Sequence, residues 1–116
     1  DWQTFAELGW LGMSLPEEYD GFGGSAIETA ILMEEIGRVL CVEPFWAIAV
    51  LAAQTIVASG DARTASLLSA LAAGKARPVL VHGEAPARGL IEYVATTATV
   101  VDDAPAAGRK EMATQR

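Results

Sequence analysis

Residues 8–38 read LGWLGMSLPEEYDGFGGSAIETAILMEEIGR, a glycine-rich turn region running into a stretch with helical periodicity. Ser25 and Glu28 have the spacing of a capping box, in which each side chain satisfies a backbone amide that the first helical turn leaves free. Ile27, Ala30, Ile31 and the run Glu34 to Leu40 follow with a period near 3.6, so the pattern predicts a helix from about Ser25 to Leu40. Glu34 and Glu35 fall four and three residues before Arg38, which is the arrangement of a solvated helix face. Ahead of the helix, Gly21, Gly23 and Gly24 allow the chain to reverse tightly.

Working outward, Thr4 and Glu7 repeat the capping-box spacing and Gly9 stops the turn, so residues 1–8 read as the end of a helix. The run PFWAIAVLAAQTIVAS, residues 44–59, has its proline in a first turn, where a missing amide is tolerated, and ends at Gly60. A helix apolar on nearly all sides belongs at the centre of a bundle. Asp61 is placed to cap a fourth helix carrying Ala65, Leu67, Leu68, Leu71 and Ala72, which ends at Gly74. Beyond residue 76 the pattern changes. RPVLVHGE (77–84) and LIEYVATTATVV (90–101) are rich in β-branched residues and predict strands. Residues 102–116 combine turn-forming and charged residues and read as loop or tail. The expected architecture is mainly α: a helical amino-terminal domain over 1–76, then the first strands of an incomplete β-domain over 77–116.

The 116 residues, 52% of them hydrophobic and 20% charged, suffice for one core, so one domain or a piece of one is expected. A formal net charge of −7 supplies no basic stripe to neutralise phosphates, which disfavours a nucleic-acid partner. The single cysteine, Cys41, cannot form an internal disulfide and reads as a small buried apolar residue of a reducing, cytoplasmic compartment. The longest apolar run is shorter than the roughly 20 residues a bilayer span needs. No basic segment followed by an apolar one opens the chain, so no signal peptide is expected. The first residue is Asp1, and the chain is expected to be a fragment. Glu34 and Glu35 read as solvated carboxylates, and no metal-ligand cluster is expected. His82, the only histidine, has no partner ligand or nucleophile in view, which favours a structural role for its side chain.

The order GWLGMSLPEEYDGFGG, ETAILMEEIGR, an apolar helix ending in SGD, then LLSALAAGK and a switch toward strands resembles the amino-terminal part of acyl-CoA dehydrogenases over residues 2–84. EAPARGLIEYVATTA (84–98) is similar to more divergent members and extends the resemblance to about residue 101. Two positions depart from the family pattern. Tyr19, Asp20 and Gly21 stand for its Tyr-Gly-Gly, and Gly83, Glu84 and Ala85 stand for its Thr-Glu-Pro, so the threonine hydroxyl usually offered to flavin is replaced by glycine.

The resemblance implies α,β-dehydrogenation of an acyl-CoA thioester. A carboxylate removes the α-proton, and the β-hydride passes to FAD, which carries the redox step. The family's base lies in a carboxy-terminal domain, so no residue of this chain is assigned as catalytic. Carried over by position, Leu80, His82, Gly83 and Gly89 fall at the flavin edge, and Ala47, Ile48 and Leu51 line an apolar acyl pocket. The implied partners are an acyl-CoA substrate, an electron-transfer flavoprotein or similar acceptor, and further subunits of a homo- or hetero-oligomer. The alternative is a non-catalytic helical interaction module or a subunit lacking its flavin site.

Overall fold

The computed structural model describes residues 1–81, 83–90 and 92–97. Its described part divides into two compact units, Asp1–Leu80 and the residues from Val81 onward.

The first unit is a helical bundle. Helix α1 (Trp2–Glu7) starts on Asp1, whose carboxylate accepts the Thr4 N–H at 2.9 Å. Thr4 is therefore a donor to the cap and does not open a capping box of its own. Gly9, at φ 76°, turns the chain out of α1. Short 3₁₀ turns at Trp10–Gly12 and Glu17–Tyr19 follow. Residues 21–24 then fold back on 12–16: Phe22 N–H donates to Gly12 O (3.0 Å), Gly23 N–H to Leu15 O (2.8 Å) and Gly24 N–H to Met13 O (2.8 Å). The approach is too close for side chains. A Cβ on Gly21 stands 2.1 Å from the Leu15 carbonyl oxygen, and one on Gly24 stands 2.6 Å from that of Met13. Asp20 takes the left-handed backbone, φ 61°, a conformation that Asp tolerates better than most residues.

Helix α2 (Ala26–Arg38) begins with the expected capping box: Ser25 Oγ accepts the Ile27 N–H at 3.1 Å, and Glu28 accepts the Ser25 N–H at 2.7 Å. The central helix is not uniform. Trp46–Ala52 is wound as a π-helix and continues directly into α3 (Ala53–Ser59), which ends at Gly60 with φ 64°. A turn at Ala62–Thr64, capped by Asp61 Oδ1 on the Arg63 N–H (2.9 Å), leads into α4 (Ala65–Ala72).

The core of this unit is built from Trp2, Phe5, Leu11, Leu15, Leu32, Ile36, Phe45, Ile48, Ala49, Ala53, Leu68 and Leu71. Phe5 is its aromatic hub, with ring centroids 4.9 Å from Trp10 and 6.1 Å from Phe45. Alanines 49, 52 and 53 are buried, so small side chains rather than large ones let the central helix lie against its neighbours. Cys41, a free thiol, is only partly buried against this core.

The expected start of a β-domain is not formed. Among the described residues there is no strand, so the observed fold is helical followed by irregular chain. A strand is stabilised by its ladder partner, and β-branched composition without one does not suffice. At one end of the first candidate, the Arg77 guanidinium lies 5.0 Å from the Trp2 ring, while Val79 and Val81 remain 66% and 86% exposed. In the second candidate, the Ala95 and Thr96 amides bond to a side chain, the Glu84 carboxylate. The end of that candidate from residue 98, the tail 102–116 and His82 lie outside the described residues.

Candidate functional site

The central helix shows three faces. Ile48, Ala49, Ala52 and Ala53 enter the core, and Ala47 and Leu51 are half-buried. Trp46, Val50 and Gln54 open on a groove of about 600 Å³. Across it, α2 contributes Ala26, Thr29, Ala30 and Met33, a set at helical i, i+3, i+4, i+7 spacing, and the loop adds Ser14, Gly24 and Ser25. Of the three residues that the family resemblance placed in an acyl pocket, Ile48 is 3% exposed in the core, and Ala47 and Leu51 are half-buried and outside the groove's lining. Trp46, half exposed, and Val50 were legible only as apolar. Their spacing of four with Gln54 was the available signal.

The groove is polar at one end and apolar at the other. Gln54 Nε2 donates to Ser14 O at 2.9 Å and to Ser14 Oγ at 3.0 Å, while the Gly24 N–H to Met13 O bond keeps the two arms of the loop together beside that pair. Ser25 and Thr29 spend their hydroxyls on Glu28 and on the Ser25 carbonyl. Met33 and Trp46 supply apolar surface farther along both helices. A concave apolar surface with a few polar groups at one end is the usual form of a small-molecule site. A shallower hollow of about 400 Å³ beside the loop is bordered by Glu7, Gly9, Asp20, Phe22 and Ala72 among others.

Several described carboxylates are held by neighbouring donors. Glu34 and Glu35 bridge Arg38 at 3.1 and 3.2 Å on an exposed face. Hydrogen bonds from Ser25 hold the Glu28 carboxyl below its ordinary range, and those from Arg63 lower Asp61 to about 2. The Thr96 and Ala95 amides and the Thr96 hydroxyl likewise lower Glu84. All three shifts run away from the near-neutral values that suit proton abstraction. Among the described residues no group of three or more His, Cys, Asp or Glu side chains is placed to hold a metal.

The residues carried over to a flavin edge fall in both units. Leu80 ends the first unit and Gly83 and Gly89 belong to the second. Among the described residues, a Cβ built on Gly83 or Gly89 meets no atom within 4 Å. No described helix is long and apolar enough to cross a membrane.

Residues 1–75 match the family profile described as Acyl-CoA dehydrogenase, N-terminal domain. The chain is 34% identical over 84 residues to the (2S)-methylsuccinyl-CoA dehydrogenase of Cereibacter sphaeroides, an alignment covering 71% of this chain and 15% of that protein. It is 49% identical over 39 residues to Probable acyl-CoA dehydrogenase YngJ of Bacillus subtilis strain 168, covering 31% of this chain and 10% of the relative. The matches thus span only a small part of the relatives' length. No solved structure matches.

Proposed function

The chain belongs to the acyl-CoA dehydrogenase family, and from that premise we propose that it is the acyl-binding helical part of an oxidoreductase that introduces an α,β double bond into an acyl-CoA thioester. The observation that carries this is the position of the groove: its lining, from Ser14 to Gln54, lies wholly inside the family match over residues 1–75. The acyl chain runs along the central helix. Val50, Met33 and Ala30 offer it apolar surface, Ala47 and Leu51 flank it, and Ile48 backs it from the core. The methylsuccinyl-CoA named for one relative is an acyl thioester of the same general class.

FAD is the oxidant that family membership suggests, with an electron-transfer flavoprotein or similar acceptor downstream and an oligomeric whole protein in a cytoplasmic compartment. Flavin binding is proposed for the intact protein, with Leu80, His82, Gly83 and Gly89 as part of its site. Glycine in place of the family threonine favours a second reading in which the intact protein is a subunit without its own flavin.

Absorption spectroscopy of the purified intact protein separates the two, since bound oxidised flavin is visible directly. Turnover with a panel of straight and branched acyl-CoAs and an artificial electron acceptor then tests the enzyme. Acceptor reduction is expected. A protein that neither carries flavin nor reduces the acceptor with any acyl-CoA overturns the leading reading.

A further inference from the structure

Every other side-chain hydrogen bond described in the first unit joins residues no more than four apart, whereas the two from Gln54 reach Ser14 across 40 positions. The amide orientation is determined by the partner: Ser14 O only accepts, so the nitrogen must face it. Both residues line the groove. The loop they join is otherwise held to itself by Gly23 N–H to Leu15 O and Gly24 N–H to Met13 O, and to the core by the fully buried Leu15. Among the described residues, the polar ties between the loop and the central helix are those of this pair.

We infer that Gln54 is a positioning residue that latches the loop 13–24 to the central helix through Ser14 and so sets the width of the groove. The inference rests on the groove being the acyl-binding surface, and it assigns regulation of access to a residue that touches no reacting atom. With the latch closed, the loop's Gly24 and Ser25 stay at fixed distance from Val50 and Gln54. Released, the loop remains anchored by Leu15 but its groove edge moves outward, and acyl chains lose contact. Exposed as they are, the two bonds together correspond to about fivefold in an equilibrium.

Two substitutions grade the effect. Ser14→Ala removes the hydroxyl but leaves the backbone carbonyl, so one of the two bonds survives, whereas Gln54→Leu removes both at similar volume. In the intact protein, KM for octanoyl-CoA is expected to rise about fivefold in Gln54→Leu and by less in Ser14→Ala, with kcat unchanged. Amide hydrogen exchange at Gly23 and Gly24 is expected to quicken by a similar factor in Gln54→Leu. Unchanged KM in Gln54→Leu, or a fall in kcat alone, overturns the inference while leaving the proposed function standing. If the wild-type protein turns over no acyl-CoA, the proposed function fails, and unchanged exchange at Gly23 and Gly24 then overturns the latch independently.

Discussion

Glu84 holds Thr96 at two points: its carboxylate accepts the Thr96 N–H at 3.0 Å and the Thr96 hydroxyl at 2.8 Å. The Ala95 N–H adds a further donor at 2.9 Å. These bonds lower the Glu84 pKa, so they stabilise the closed arrangement above the ordinary glutamate range, and that contribution is lost as the pH falls through this range and below it. The expected observation is a downfield-to-upfield drift of the Ala95 and Thr96 amide resonances in acid, abolished in Glu84→Gln. Amide shifts independent of pH in the wild-type chain contradict the arrangement.

The glycines of the loop differ in what they tolerate. Gly21→Ala drives a methyl to 2.1 Å from the Leu15 carbonyl oxygen, a clash with backbone that a rotamer change cannot relieve, and is expected to cost about 3 kcal/mol. Gly37→Ala lies in α2 with nothing within 4 Å of the new methyl and is expected to stabilise by about 0.5 kcal/mol. Urea unfolding of the two variants measures both, and equal midpoints show the loop to be looser than described.

Core leucines separate by burial. Leu71 is wholly buried between α4 and the rest of the bundle, and Leu71→Ala is expected to lose about 2–5 kcal/mol, the transfer term plus the cavity left behind. Leu51 is only half-buried, so Leu51→Ala costs less. Thermal unfolding that ranks Leu51→Ala as the more damaging variant contradicts this.

Asp61 presents a second acid-sensitive point. Arg63 hydrogen bonds lower its carboxyl to about 2, with Arg63 Nη2 at 2.6 Å. A depressed carboxyl contributes stability above its unfolded pKa and loses it as the pH falls toward about 2. Asp61→Asn keeps an oxygen to cap the Arg63 amide but loses the ion pair, so its stability changes less between neutral and acid pH. Because the pair is exposed, added salt narrows the difference from wild type at neutral pH. A steeper acid dependence in the variant than in wild type counts against the assignment.

Several elements were legible from local chemistry because local chemistry builds them. Ser25 and Glu28 start α2 through bonds three residues apart, Asp61 caps the turn before α4, and Gly60 ends the central helix with a left-handed backbone. The order of those signals also carried the family resemblance, now matched over residues 1–75. The groove was not legible in the same way. Which face of an all-apolar helix meets the core depends on how the π-wound turns of Trp46–Ala52 rotate it, and periodicity says little where every face is apolar. Sequence placed Ala47, Ile48 and Leu51 together, whereas packing put Ile48 in the core and brought Trp46, Val50 and Gln54 to the opening.

Sequence alone therefore settled the helical character of the first unit and the caps at Ser25 and Asp61, since capping bonds and the burial of periodic apolar residues act within a few positions of the chain. Tertiary structure decided the groove, the Gln54–Ser14 tie and the absence of strands among the described residues. Each depends on which distant partner is near: Ser14 meets Gln54 where the loop folds back, and the Ala95 and Thr96 amides bond the Glu84 carboxylate. A β-branched sequence gains its preference from a neighbouring strand, and among the described residues these two amides are taken by a carboxylate.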